Sequence, residues 1–174
     1  MWFKVEQGVG TMEDKSRSPS PGLDSDLPAG LFVNTYTHSL DEKRRLIIPA
    51  VWRELVGGPR RVFVLPGIEV RCLWVYPARE LTRRLDKLRK LSVADPDGRR
   101  LARALASRSD LVAWDSQGRM RIKDDLLDYA GLQNVVVMVG AFDRFELWSP
   151  DEWKRETEQV SEQALEEAIR SIGF

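Results

Sequence analysis

A carboxylate stands four residues ahead of a guanidinium at two places in the 174-residue chain, in Asp41-Glu42-Lys43-Arg44-Arg45 and in Asp115-Ser116-Gln117-Gly118-Arg119. Two carboxylates suggest general acid–base catalysis. Each Asp, however, is followed at once by a turn and a strand, and turn capping is the stronger expectation, because an Asp side chain accepts hydrogen bonds from nearby backbone N–H groups. Gly118 supplies the positive φ that a tight turn often needs. The arginine then leaves the turn at a defined angle, with a planar fork that suits phosphates or a guanine edge. On this reading Asp41, Asp115 and Gly118 shape the loops, and Lys43, Arg44, Arg45 and Arg119 are cations suited to an anionic partner such as phosphate. The first segment departs from the second at Arg44, where glycine is expected. In left-handed backbone a non-glycine residue costs on the order of 1 kcal/mol, set here against a third consecutive cation.

These segments belong to a longer repeat. Leu46 aligns with Met120, Ile48 with Ile122, Gly57 with Gly131, Val62 with Val136 and Val64 with Met138. After a one-residue slip, "LWVYP" ending at Pro77 aligns with "ELWSP" ending at Pro150. So many ordered matches identify a tandem duplication. Each copy predicts a strand, the Asp-x-x-x-Arg turn and a second strand with period-2 alternation. A short helix follows, "PAVWREL" with Gly57-Gly58 as its stop, or "KDDLLDYAG" with Asp124 and Asp125 at its positive end and Gly131 as its stop. Two further strands come next, "RVFVLP" with "CLWVYP" and "VVVMVG" with "RFELWS". A longer helix closes each copy, basic with Leu81, Leu85 and Leu88 as its apolar stripe, or acidic over 150–170 with Trp153, Val160, Ala164 and Ala168. A linker helix is predicted from Arg99 to Ser107, after a turn at 95–98. The resulting organisation is an unstructured extension 1–30, a module 35–82, a helical linker 83–108, a second module 109–153 and a C-terminal helix and tail 154–174.

With 43% hydrophobic and 31% charged residues, the composition is that of a soluble globular protein. No run approaches the roughly 20 apolar residues of a membrane span, and no signal-peptide pattern opens the chain. One cysteine, Cys72, excludes an internal disulfide and a CxxC zinc site, which favours the cytoplasm. Cys72 reads as a core residue, and His38, the sole histidine, as the end of a strand with no metal cluster around it. Trp74, Trp148 and Trp153 read as packing residues rather than a platform for bases. There is no P-loop, dinucleotide fingerprint or nucleophile–His pairing, so neither an enzyme nor a cofactor is expected. The net charge of zero conceals a division: residues 31–123 carry 20 basic against 10 acidic side chains, and residues 124–174 carry 4 against 12. That split suggests one polyanion-facing side and an acidic tail. The basic helix around 79–90 reads as a solvated face, as a phosphate-binding surface, or as the partner of the acidic helix 150–170 in a neighbouring subunit.

The stretches "YTHSLDEKRRLIIPAVWREL" and "WDSQGRMRIKDDLLDYAGLQNVVVMVGAFDRFELWSP" resemble the MraZ family of bacterial transcriptional regulators, over roughly residues 31–160. The resemblance implies an α+β fold, a tandem-duplicated swapped-hairpin (AbrB-like) β-barrel with short helices and a longer helix closing each repeat. Its two SpoVT-AbrB-type modules would interlock as a pseudo-dimer. It also implies a repressor that assembles as a homo-oligomeric ring and binds short G-rich direct repeats in double-stranded DNA upstream of its own operon, in the division and cell-wall gene cluster. The location implied is cytoplasmic and nucleoid-associated, with no membrane partner. Carried over by position, Arg45 and Arg119 face DNA with Lys43 beside the first, and Asp41 and Asp115 orient the loops. Arg44 replaces the usual Gly, and Lys123 stands where the second copy often has Pro. Family members usually begin near "MFxGxYxHSLD", and this chain has "LFVNTYTHSLD" from Leu31. Residues 1–30 are accordingly expected to reflect a misassigned start, with Leu31 reading an alternative initiation codon. An alternative of a different class is an oligomeric scaffold whose charged faces bind one another and protein partners, without specific recognition of DNA.

Overall fold

Each repeat lays down four strands in the computed structural model, which describes residues 31–173 apart from the side chains of 87–94. The first repeat forms β1 (Thr35–Ser39), β2 (Arg45–Ile47), α1 (Ala50–Val56), β3 (Arg61–Pro66), β4 (Leu73–Pro77) and α2 (Ala78–Ala94). After α3 (Pro96–Ser107), the second forms β5 (Asp110–Ala113), β6 (Arg119–Arg121), α4 (Asp124–Tyr129), β7 (Val135–Gly140), β8 (Phe145–Trp148), α5 (Pro150–Gln159) and α6 (Glu162–Ser171). The class is α+β, as expected. The predicted extension 1–30, and the start-site reading attached to it, lie outside the described residues.

The strand pairing crosses between the repeats. Six strands form an antiparallel sheet in the order β1-β7-β8-β4-β3-β5. The first strand of each repeat thus pairs with the third strand of the other: Tyr36 lies opposite Met138, and Val112 opposite Val62. β4 and β8 join the two halves at the centre, with Trp74 opposite Glu146. The order reads the same from either end when the repeats are interchanged, which is the signature of a pseudo-twofold axis. β2 and β6 make a separate two-stranded ribbon, Leu46 opposite Met120.

Alternation decides what each strand buries. Val62, Val64, Leu73, Val75, Val136, Met138, Phe145 and Leu147 are wholly enclosed. They join Leu46, Ile48, Met120 and Ile122 in one core. Trp52 of α1 is its largest member, 1% exposed. Its ring meets Tyr36 edge-on at 5.0 Å and lies 4.9 Å from Phe145 of the other repeat, and its indole N–H donates to the Val33 carbonyl at 3.1 Å. Trp148 is buried and lies 5.6 Å from Trp153, while Trp74 sits 4.7 Å beneath the Arg144 guanidinium, so these tryptophans pack as expected. Cys72 is fully enclosed, and burial pushes its thiol up to about 12. His38 lies in β1 opposite Val136. Among the described residues there is no cluster of metal ligands, and no helix is long and apolar enough to cross a membrane.

Two predicted elements change. The 95–98 stretch is a helix start rather than a turn before one. Asp95 accepts from the amides of Asp97 and Gly98, both at 3.1 Å, with Pro96 in the first turn, so α3 begins three residues earlier than Arg99. The acidic helix 150–170 is also two helices. Val160 leaves helical geometry, and the Ser161 hydroxyl caps a new helix by accepting from the Ala164 amide at 3.1 Å. Val160, expected on the apolar stripe, is instead 54% exposed at the break.

Because the repeats share one core, Trp52→Ala is expected to cost about 3–5 kcal/mol. Urea unfolding should then show one transition, with the same lowered midpoint for probes placed in either repeat.

Candidate nucleic-acid interface

The two Asp turns are built alike. In the first, the Arg44 amide donates to the Asp41 carbonyl at 2.8 Å and the Asp41 amide to the Arg45 carbonyl at 3.0 Å. In the second, the Gly118 amide donates to the Asp115 carbonyl at 2.9 Å and the Asp115 amide to the Arg119 carbonyl at 3.0 Å. One carboxylate oxygen serves the backbone. Oδ1 of Asp41 accepts from the amides of Lys43 (2.9 Å) and Arg45 (2.8 Å), and Oδ1 of Asp115 from those of Gln117 (3.0 Å) and Arg119 (2.9 Å). The other oxygen clamps the guanidinium. Oδ2 of Asp41 lies 2.8 Å from Nε and 2.7 Å from Nη2 of Arg45, and Oδ2 of Asp115 lies 2.8 Å from both nitrogens of Arg119. Each Asp therefore fixes the turn and the side chain leaving it.

The same contacts set the charge state. The Arg45 guanidinium and then the Arg45 amide hold the Asp41 carboxyl below its usual 3.8. For Asp115 the Arg119 amide leads and the guanidinium follows. A carboxyl held low stabilises the fold above its unfolded-state pKa, and that contribution disappears as the pH falls through the lowered value. The clamp is thus complete at neutral pH.

From the turns the chain enters the β2–β6 ribbon. Leu46 and Met120 point into the core, so Arg45 and Ile47, with Arg119 and Arg121 opposite, share the outer face. Arg45 faces Arg121 across the ribbon, and Ile47 faces Arg119. The turns also meet, with Nη1 of Arg45 3.8 Å from Oδ2 of Asp115. Lys43 is exposed on the first turn. Arg121 was not singled out from the sequence, although its place two residues after Arg119 in a period-2 strand puts it on the same face. Its Nη2 is held by Asp124 at 2.9 and 3.0 Å.

Arg44 does adopt left-handed backbone, with φ 54°, and Gly118 matches it at φ 80°. The two positions are completed differently by the helix each one faces. Arg44 reaches α4 of the other repeat, its Nη1 3.2 Å from Asp124 and its Nη2 3.1 Å from Asp128. Gly118 lies under α1, where a Cβ would fall 2.7 Å from Cζ and Nε of Arg53. The Arg53 Nε is buried there with no hydrogen-bond partner among the described residues. Nothing in the linear sequence marks Arg53, because the contact arises only when one repeat's turn crosses the other's helix.

A family model described as "MraZ protein, putative antitoxin-like" matches residues 31–104 and again 105–171. The chain belongs to the MraZ family. Among its relatives, the "Transcriptional regulator MraZ" of Thermomicrobium roseum is 35% identical over 131 residues, spanning 75% of this chain and 90% of the relative. The protein of the same name from Clostridium acetobutylicum is 33% identical over 145 residues, 83% of this chain and all of the relative. The Clostridium tetani protein, also so named, is 32% identical over 145 residues. In the MraZ family, then, the relatives are named as regulators and not as enzymes.

The unequal surroundings of the two turns predict unequal responses. Gly118→Ala should lower stability by about 1 kcal/mol for the left-handed backbone and displace Arg53. Arg44→Gly removes a similar strain but loses two exposed ion pairs of about 0–1 kcal/mol each, so its urea midpoint should stay close to wild type. In a pH titration followed by NMR, the turn amides of Lys43, Arg45, Gln117 and Arg119 should keep their shifts from about pH 8 to pH 5. They should move only as the pH passes below the ordinary carboxylate range, because both carboxyls are held low.

Proposed function

We propose that this chain is a sequence-specific DNA-binding regulator of transcription, acting as a repressor. Its targets are short direct repeats upstream of its own operon in the division and cell-wall gene cluster, which it engages as a homo-oligomeric ring in the cytoplasm, at the nucleoid. The names of the relatives support the regulatory reading. The observation that carries DNA binding is the pair of guanidiniums clamped on Asp41 and Asp115, at equivalent places on one face of the β2–β6 ribbon. A two-stranded ribbon fits the major groove, where an arginine reads the guanine edge with two hydrogen bonds. Arginines already held in one orientation lose little freedom on binding.

Arg45 and Arg119 are the base-reading candidates in this proposal, Lys43 contacts phosphate, and Arg44 adds positive charge to the first turn while anchoring it to α4. Asp41, Asp115 and Gly118 orient the loops. Two AbrB-like modules, 35–82 and 109–153, form the swapped-hairpin barrel, a reading supported by the exchange of first strands between the repeats. Residues 83–108 link the modules and 154–174 form the tail. One chain offers few base-reading groups, so affinity comes from several subunits engaging several repeats at once.

The test is fluorescence anisotropy on the chain's own upstream DNA and on a scrambled duplex, over a range of salt. Wild type should prefer the repeats and weaken steeply with salt. Each lost bidentate contact is worth about 1–3 kcal/mol of discrimination, so Arg45→Ala with Arg119→Ala should abolish the preference without changing the fold. Unchanged binding by that double variant removes the two arginines from the interface. No binding by a folded wild-type oligomer at low salt favours the scaffold reading instead.

A further inference from the structure

The last helix carries an apolar stripe that the chain does not cover. α6 buries none of its residues. Leu165, Ile169 and Ile172, at helical spacing, are 52%, 41% and 71% exposed. Around that stripe the helix is acidic, with Glu162, Glu166 and Glu167 against Arg170 alone.

A matching surface lies at the other end of the sheet. Phe63 and Leu65 of β3, Leu111 of β5, Leu81 and Leu85 of α2 and Leu105 of α3 line a cavity of about 390 Å³. Leu111 is 45% exposed at its mouth. The α3 wall likewise buries no residue, and it is basic, with Arg99, Arg100 and Arg103 against Asp97. Arg99 and Arg103 have no ion-pair partner among the described residues, and neither do Glu162 and Glu167 of α6. α5, which leads into α6, packs over β7, whereas the cavity lies over β3 and β5 at the far edge of the sheet. An acidic helix with three exposed aliphatic side chains and a basic, apolar-floored groove are complementary in both charge and polarity.

We propose that α6 of one chain seats in the α2–α3–β3–β5 groove of a second copy, placing Leu165, Ile169 and Ile172 on the apolar floor and Glu162, which flanks that stripe, towards Arg99 and Arg103. This rests on the homo-oligomer part of the proposed function and names the surfaces that make the contact. The contact joins two different surfaces, so every chain offers one α6 and one groove. It propagates head to tail and ends only when the series closes on itself.

The experiment is light scattering after size exclusion on full-length chains, with circular dichroism to confirm folding. Ile169→Asp breaks the stripe and Leu111→Asp breaks the groove. Each alone should fall from the wild-type mass to that of one 19.9 kDa chain. Mixed together they should form a complex of two chains and no larger, because one donor and one acceptor surface survive between them. A symmetric contact of α6 with α6 leaves Leu111→Asp assembled on its own with no Ile169→Asp chain joined to it and overturns the proposal, as does an Ile169→Asp variant that keeps the wild-type mass. If Leu111→Asp does not fold, Arg103→Glu takes its place as the exposed groove variant. Glu162→Arg in the same chain should then restore assembly. A wild type that is oligomeric and indifferent to all these variants sinks this inference alone. A wild type that is a single chain while binding repeat DNA sinks the oligomer reading too.

Discussion

β1 hydrogen-bonds to β7 and β5 to β3, so the first strand of each repeat has its partner in the other. Backbone N–H and C=O groups enclosed without partners are costly, and this single requirement binds the repeats into one sheet. The rest of the molecule follows. Crossing the first strands brings the two Asp turns into contact and lays β2 beside β6. It also carries each turn across to the helix of the opposite repeat and encloses Trp52 of one repeat against Phe145 of the other. The outer ribbon face is therefore a by-product of how the core is closed.

Inside this symmetric frame the chemistry is not symmetric. The turns share their hydrogen-bonding pattern, yet one accommodates an arginine and the other a glycine, because α4 presents Asp124 and Asp128 where α1 presents Arg53. On the ribbon, Ile47 occupies the place that Arg121 fills in the second copy. Two identical subunits could not diverge in this way. A duplication held in a single chain lets each half of the face be adjusted separately while the common core stays as it is.

Much of this was legible from local pattern. The period-2 runs located the strands, Gly57 and Gly131 ended the short helices, and the alignment of Asp41 with Asp115 announced two equivalent turns. The departure at Arg44 was visible as a missing glycine, but its resolution was not, since Asp124 and Asp128 lie more than a repeat away. Arg53 escaped for the same reason. The misplaced helix boundaries have a local origin. Asp-Pro-Asp-Gly serves equally as a turn or as a capped first turn, and a serine inside an apolar periodicity looks like a surface residue until its hydroxyl caps a new helix. The exchange of strands itself has no local signature, because period-2 strands pair equally well within a repeat or between repeats.

The crossed pairing also has a temporal side. Thr35 pairs with Val139, so β1 leaves the ribosome about a hundred residues before its partner exists. At about 5–20 residues per second, that wait lasts on the order of 5 to 20 s, during which a strand edge stands open to other chains. β3 meets β5 sooner, but the half-sheet it forms still lacks β8 beside β4. No fragment ending before β8 can complete the sheet. The nascent protein therefore keeps an open strand edge through the middle of translation, from β1 until β7 and β8 emerge, and that is the period when a chaperone matters most.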